Sequence, residues 1–128
     1  AIDFMARHFI SSAAERDIES ILAWTHEHFG LDARLRYEAL LVRAILDIVE
    51  DSQRAGNQSR PEIAAAARTY HLWYSRTRVE PHVDRVHRPR HFLLYRTCDD
   101  GRVEIARVLH ERMDLPQHLP EDFGPSAH

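Results

Sequence analysis

Gly30 divides two segments of helical periodicity that lie so close together that the chain has room only to reverse between them. Before it, Ala14, Ile18, Ile21, Leu22, Thr25 and Phe29 recur at the three- and four-residue intervals of a helix face. After it, Tyr37, Leu40, Leu41, Ala44, Ile45 and Ile48 do the same. Ser12 and Glu15, in the pattern S-A-A-E, are spaced as a capping box that satisfies the orphan N–H groups at a helix start. Gly30 suits the left-handed position at which helices end. Asp32 is placed to cap a second helix running to about Glu50. A link of two or three residues between such helices forces an antiparallel helical hairpin. Each of its apolar stripes then needs something to cover it.

The cover is expected from the remaining strands. Residues 5–10, MARHFI, read as a short first strand, and residues 69–75, TYHLWYS, alternate as a second. Residues 91–97, HFLLYRT, and 103–110, VEIARVLH, flank Asp100-Gly101, a strong hairpin signal. Residues 51–63 and 79–90 read as loops by composition. The expectation is an α+β fold: a small four-stranded sheet packed against the N-terminal helical hairpin, one domain over residues 1–128. Residues 1–4 read as an expression scar. Residues from about 120 to 128, rich in proline, read as a flexible tail.

Composition removes several functions. All 17 basic residues are arginine. Schiff-base chemistry, a phosphate-binding P-loop and a lysine general base are therefore excluded. The net charge of −3 is uneven: residues 1–59 carry six arginines against ten acids, and residues 60–112 carry eleven against seven. The basic second half suits an acidic partner. Cys98 is the single cysteine, which rules out an intrachain disulfide and fits a reducing cytoplasm. No apolar run is long enough to span a bilayer, and no signal-peptide pattern opens the sequence.

Candidate chemistry is sparse. His110-Glu111 begins like a zinc-protease helix, but the position of the second histidine is Asp114. His82, Asp84 and His87 lie in a loop without a second ligand cluster, so no metal and no cofactor is expected. Metal-free RNA cleavage needs a general base, a general acid and a cation. Glu62, His110 and an arginine such as Arg68, Arg76, Arg90 or Arg96 are the residues available. A competing reading gives Glu62 a role in loop order and His110 one in strand-end packing. Trp24, Tyr70, Trp73 and Tyr74 exceed what one small core requires, which points to a covered surface. In RVLHERMDLPQHLP, residues 107–120, Met113, Leu115 and Leu119 are expected to pack back on the sheet. His110, Arg112 and His118 are expected at the rim of that surface.

Several stretches together resemble the ParE branch of the RelE/ParE superfamily of bacterial toxins. They are AERDIESILAWTHEHFG at residues 14–30, RYEALLVRAILDI at 36–48, RPEI at 60–63, YHLWYSR at 70–76, RPRHFLLYR at 88–96 and DGRVEIARVLHERMDLPQHLP at 100–120. The resemblance implies a cytoplasmic toxin that inhibits DNA gyrase and blocks replication. It also implies neutralisation in a hetero-oligomer by a ParD-like antitoxin whose C-terminal segment folds as it wraps the toxin. The RelE branch instead cleaves mRNA on the ribosome, and its counterpart here would use Glu62, Arg96 and His110. The missing lysines and the acidic net charge favour the non-enzymatic branch. No membrane and no sequence-specific nucleic-acid contact is expected. The residues assigned to partner contact are Trp24, Tyr37, Trp73, Arg90, Arg96, Arg102, His110, Arg112 and His118.

Arg102 sits at the tip of the expected hairpin. Its reversal to glutamate should weaken target binding while changing folding stability by no more than about 0.5 kcal/mol. Loss of the folded state by circular dichroism would instead make this arginine structural.

Overall fold

The computed structural model describes residues 7–80 and 84–113. A short strand β1 (His8–Ile10) leads into helices α1 (Ser12–Phe29) and α2 (Leu31–Glu50). Strands β2 (Asn57–Ser59) and β3 (Arg68–His71), a 3-10 turn (Leu72–Ser75), and strands β4 (His91–Thr97) and β5 (Val103–His110) follow. The helical hairpin forms as expected, but its link is a single residue. Gly30, at φ +92°, ends α1 and begins α2, so Asp32 lies in the first turn of α2 instead of capping it. There its charge still favours the positive end of the helix dipole.

The N-terminal cap of α1 also differs by one residue. Ser11, not Ser12, caps the helix, its Oγ accepting the Ala14 N–H at 3.0 Å. The reason is tertiary. Ser11 still belongs to the sheet through its N–H, which donates to the Ile105 carbonyl, and its hydroxyl donates to the Ala106 carbonyl at 2.7 Å. Ser11 thus serves the sheet and the helix start at once.

The sheet has five strands, not four, in the order β1-β5-β4-β3-β2. β1 runs parallel to β5, with His8 opposite Val103 and Ile10 opposite Ile105; every other pairing is antiparallel. The additional strand, β2, lies within the stretch expected to be loop. Its sequence, NQS, has no apolar alternation, and pairing with β3 alone makes it a strand. The expected strand over residues 69–75 ends at His71. The His71 ring accepts the Trp73 N–H at 3.0 Å and turns the chain into the 3-10 segment.

One face of the sheet carries the main core. Leu40, Leu41, Ala44, Ile45 and Ile48 of α2 pack with Tyr70, Leu93, Tyr95, Ile105 and Val108. The opposite face is partly covered by the segment before β3, where Ile63, Ala64 and Ala67 meet Leu94, Ala106 and Leu109. A bulge sets Ala106 as an extra residue of β5, since Leu94 faces Arg107 while Tyr95 faces Ile105. Beyond the bulge β1 no longer covers the edge of β5, and α1 takes its place. Asp17 accepts both Nε and Nη2 of Arg107, at 2.7 and 2.8 Å, and the Val108 N–H at 2.9 Å.

Asp47 is fully buried on the apolar face of α2. Its carboxylate accepts from Arg43 Nε at 3.1 Å, Arg78 Nε at 2.9 Å and the Ser75 hydroxyl at 2.6 Å, with Arg54 at 3.5 Å. Because the Ser75 proton goes to Asp47, the Tyr70 hydroxyl is the donor in its 2.8 Å contact with Ser75. Burial alone would raise the Asp47 pKa. The bonds from Arg78 and Ser75 and the charges of Arg43 and Arg54 outweigh it, and the carboxyl stays below its ordinary value. Its stabilisation is therefore present above about pH 4 and is lost as pH falls through the lowered value. Asp47→Asn should cost about 3 kcal/mol, because it leaves guanidiniums converging on a neutral group. Chemical denaturation at pH 7 measures this, and a cost under about 1 kcal/mol would show that the network is dispensable.

Candidate functional site

Two grooves meet along the segment 84–91, one on each side of the sheet. The larger, of about 1420 Å³, lies between the helical hairpin and this segment. Its floor is apolar and aromatic: Ile21, Trp24, Phe29, Ala33, Tyr37 and Val86. Arg36, Arg85, Arg88 and Arg90 stand around it, with Asp84 the one carboxylate of its lining among the described residues. Among the described residues only Arg90 of these four forms an ion pair, with Glu111 at 3.1 Å. Trp24 is 55% exposed and Phe29 67%, and Trp24 stacks on His28 with ring centroids 4.2 Å apart. An exposed indole braced by a neighbouring ring on its own helix is a rigid anchor with little conformational entropy left to lose.

Tyr37 holds the groove floor in place. It is buried, and its hydroxyl donates to His91 Nδ1 at 2.7 Å while accepting the Arg90 N–H at 3.1 Å. Burial pushes the Tyr37 phenol up to about 12, so it remains a donor. Burial, reinforced by the nearby His110 and His71, pulls the His91 ring down to about 4, so the ring is neutral at pH 7, and the tautomer protonated on Nε2 lets Nδ1 accept the Tyr37 proton. The His110 ring lies edge-on to His91 at 5.3 Å. Tyr37 thus ties α2 to the start of β4.

The smaller groove, of about 700 Å³, lies on the outer face of the sheet, lined by Gln58, Arg60, Thr69, His71, Trp73, Tyr74, Arg88, Arg90, Phe92 and Glu111, with Gly56, Pro89 and Met113. Trp73 is 44% exposed and carries the Arg76 guanidinium 3.4 Å from its ring centroid. Tyr74 lies edge-on to it at 5.4 Å. A side chain on Gly56 (φ +102°) would come within 2.5 Å of the Tyr74 ring, so only glycine seats that ring.

The structure gathers part of the expected contact set. Trp24, Tyr37, Arg90 and His110 line the larger groove, and Trp73 and Arg90 the smaller. Arg112 is exposed beside them, its N–H donating to His110 Nδ1 at 3.2 Å. Arg96 and Arg102 lie away from both grooves, around the β4–β5 hairpin. There Arg96 pairs with Glu104 at 2.8 Å, and Arg102 pairs with Asp100 at 2.8 Å and lies over the Phe9 ring at 4.8 Å. His118, Leu115 and Leu119 lie outside the described residues, as does His82. Met113 does not pack back on the sheet: it is 45% exposed and lines both grooves. Arg36, Arg85 and Arg88 were missed by sequence reasoning. The run VDRVHRPR held the signal for two of them, but its composition was that of any solvated loop.

Arg96 and His110 of the cleavage set are not brought together. On β4 the partner of His110 is His91, and Arg96 is paired five residues further on with Glu104. At about 3.3 Å per residue this separates Arg96 from His110 by roughly 16 Å along the sheet. Glu62 is exposed and bonded to Arg60 at 2.7 Å. The Cys98 thiol is pushed up by burial, the opposite of an activated nucleophile.

The family model described as ParE toxin of type II toxin-antitoxin system, parDE, matches residues 9–115. Two curated proteins named Toxin ParE1, from Mycobacterium tuberculosis strains CDC 1551 / Oshkosh and ATCC 25618 / H37Rv, are each 28% identical over 114 residues. The alignment spans 89% of this chain and 98% of each relative.

The lowered His91 value fixes a pH response. From pH 6.5 down to about 4 the unfolded chain binds a proton at this position that the folded chain resists. Folding stability should therefore fall by about 3 kcal/mol over that window from this group alone. His91→Gln should flatten that limb in denaturation measured at pH 7, 5.5 and 4. An unchanged slope would show that His91 titrates normally.

Proposed function

The chain belongs to the ParE toxin family of type II toxin–antitoxin systems, and from that premise we propose that it poisons DNA gyrase by binding, without catalysing a reaction, until a ParD-like antitoxin covers it. The toxin acts in the cytoplasm and is stored as a hetero-oligomer with the antitoxin. The observation that carries this reading is the larger groove, an aromatic and aliphatic floor beneath four arginines. That chemistry matches an amphipathic segment with apolar anchors at helical spacing and acidic flanks. A segment that folds as it binds gains its affinity from burial on such a floor and its orientation from the charged rim. The separation of Arg96 from His110 along the sheet supports a binding mode over a nuclease built on that pair. No helix among the described residues is long and apolar enough to cross a membrane.

Trp24→Glu should weaken antitoxin binding by more than about 30-fold, the loss typical of a central aromatic anchor, and leave the fold intact because the ring is exposed. Calorimetry with the co-expressed antitoxin measures it, and wild-type affinity in a folded variant would move the antitoxin to another face. The mode of toxicity has its own test. Removing a general acid or base costs an enzyme about 10²–10⁴-fold. Glu62→Gln and His110→Ala, made singly, should each leave growth arrest and the block of gyrase supercoiling within a few-fold of wild type. Ribosome-dependent mRNA cleavage that disappears in both variants, with supercoiling untouched by the wild-type toxin, would replace gyrase poisoning with nuclease action.

A further inference from the structure

The smaller groove carries groups that antitoxin docking on the helical side does not use. Among the described residues, the guanidiniums of Arg60, Arg88 and Arg90 line it against a single carboxylate, Glu111. Arg90 is already bound to Glu111, and Arg60 to Glu62. Arg88 has no carboxylate within 4 Å among the described residues. The Gln58 amide and the Thr69 hydroxyl make no side-chain hydrogen bond among the described residues, although both stand on paired strands. Trp73 offers a flat ring, 44% exposed and lining the groove, with the Arg76 guanidinium 3.4 Å from its centroid. The 3-10 turn and the edge of Tyr74, itself seated against Gly56, position that ring.

A planar platform, uncommitted donors and acceptors on strands, and an excess of guanidinium charge within a few side chains are the parts that recognise a base and its phosphate. We propose that this outer-face groove binds a nucleotide unit presented by a single strand, the base stacking on Trp73 and the phosphate meeting Arg88 and Arg90. A volume of about 700 Å³ accommodates one such unit with its flanking sugar–phosphate. An acidic peptide would satisfy the arginines but leave the indole face and the Gln58 and Thr69 groups without a planar polar ligand. The site is built to hold and not to cleave. His71 accepts the Trp73 N–H on Nδ1 and donates from Nε2 to Glu111 at 2.8 Å, and Glu111 is also held by Arg90. Neither residue is free to take a proton from a ligand.

The test follows the Trp73 indole N–H by NMR in the full chain. The probes are adenosine monophosphate, adenosine, inorganic phosphate, a single-stranded octathymidylate, a DNA duplex and an octaglutamate peptide. The single strand should shift the Trp73 signal most strongly. The monophosphate should bind at least tenfold more tightly than adenosine or phosphate alone. Affinity should fall with salt at a slope near 0.7 in log–log form per phosphate engaged. Trp73→Ala, followed through the Gln58 and Thr69 backbone amides, and Arg88→Gln should each lose at least tenfold. Trp24→Glu should leave nucleotide binding unchanged, which separates this site from the antitoxin groove. Three results would overturn the proposal: no shift with any nucleotide, an equal response to inorganic phosphate, or displacement of the single strand by octaglutamate at comparable concentration. Tighter binding of duplex than of single strand would overturn the single-stranded form.

Discussion

The buried carboxylate of Asp47 is the constraint on which the rest of this structure turns. Taking a charge out of water costs several kcal/mol unless it is met by opposite charge and by hydrogen bonds. Here Arg43 comes from the same helix one turn earlier, Arg54 from the loop after it, and Ser75 and Arg78 from the 3-10 turn after β3 and the residues just beyond it. The partners come from α2 itself, the loop after it and the turn that follows β3, so satisfying one group ties three segments together. The 3-10 turn is held with Ser75 inward and Trp73 and Tyr74 outward. The aromatic wall of the outer groove is thus a consequence of a polar contact in the core.

A second set of contacts shapes the helical side. The Arg107–Asp17 fork and the Val108 N–H bond lay α1 along the edge of β5 that the short β1 leaves uncovered. Tyr37 ties α2 to the start of β4 through His91 and Arg90. Between these two attachments the hairpin stands away from residues 84–91, and the space it leaves is the larger groove. Grooves open on both faces of one sheet, and Arg88, Arg90 and Met113 line both.

Much of this was legible before the fold was known. The hairpin signal at Gly30 and the strands at residues 91–97 and 103–110 came from period and turn chemistry, which are local. The misread elements were those decided by distant partners. Ser11 and Ser12 are equivalent caps in isolation, and the Ile105 and Ala106 carbonyls chose between them. LWYS continues an alternating pattern, yet His71 and Asp47 bend it into a turn. NQS has no strand character until β3 is beside it. Asp47 itself lay within an apolar stripe and attracted no attention, because one acid in a helix is ordinary until its burial is seen.

By itself the sequence determined the helical hairpin, the C-terminal strand pair, the excess of aromatic residues and the lack of lysine chemistry. These follow from spacing and composition, which every conformation of the chain shares. Only the tertiary structure decided that Trp24 and Tyr37 line one groove and Trp73 another, that Tyr37 is a tether beneath its groove, and that Arg96 and His110 sit far apart on the same strand pair. Side chains distant in sequence become one surface only when the core brings their elements together. Here that depends on where a buried carboxylate finds its partners and where a bulge turns a strand, and neither is written in any local period.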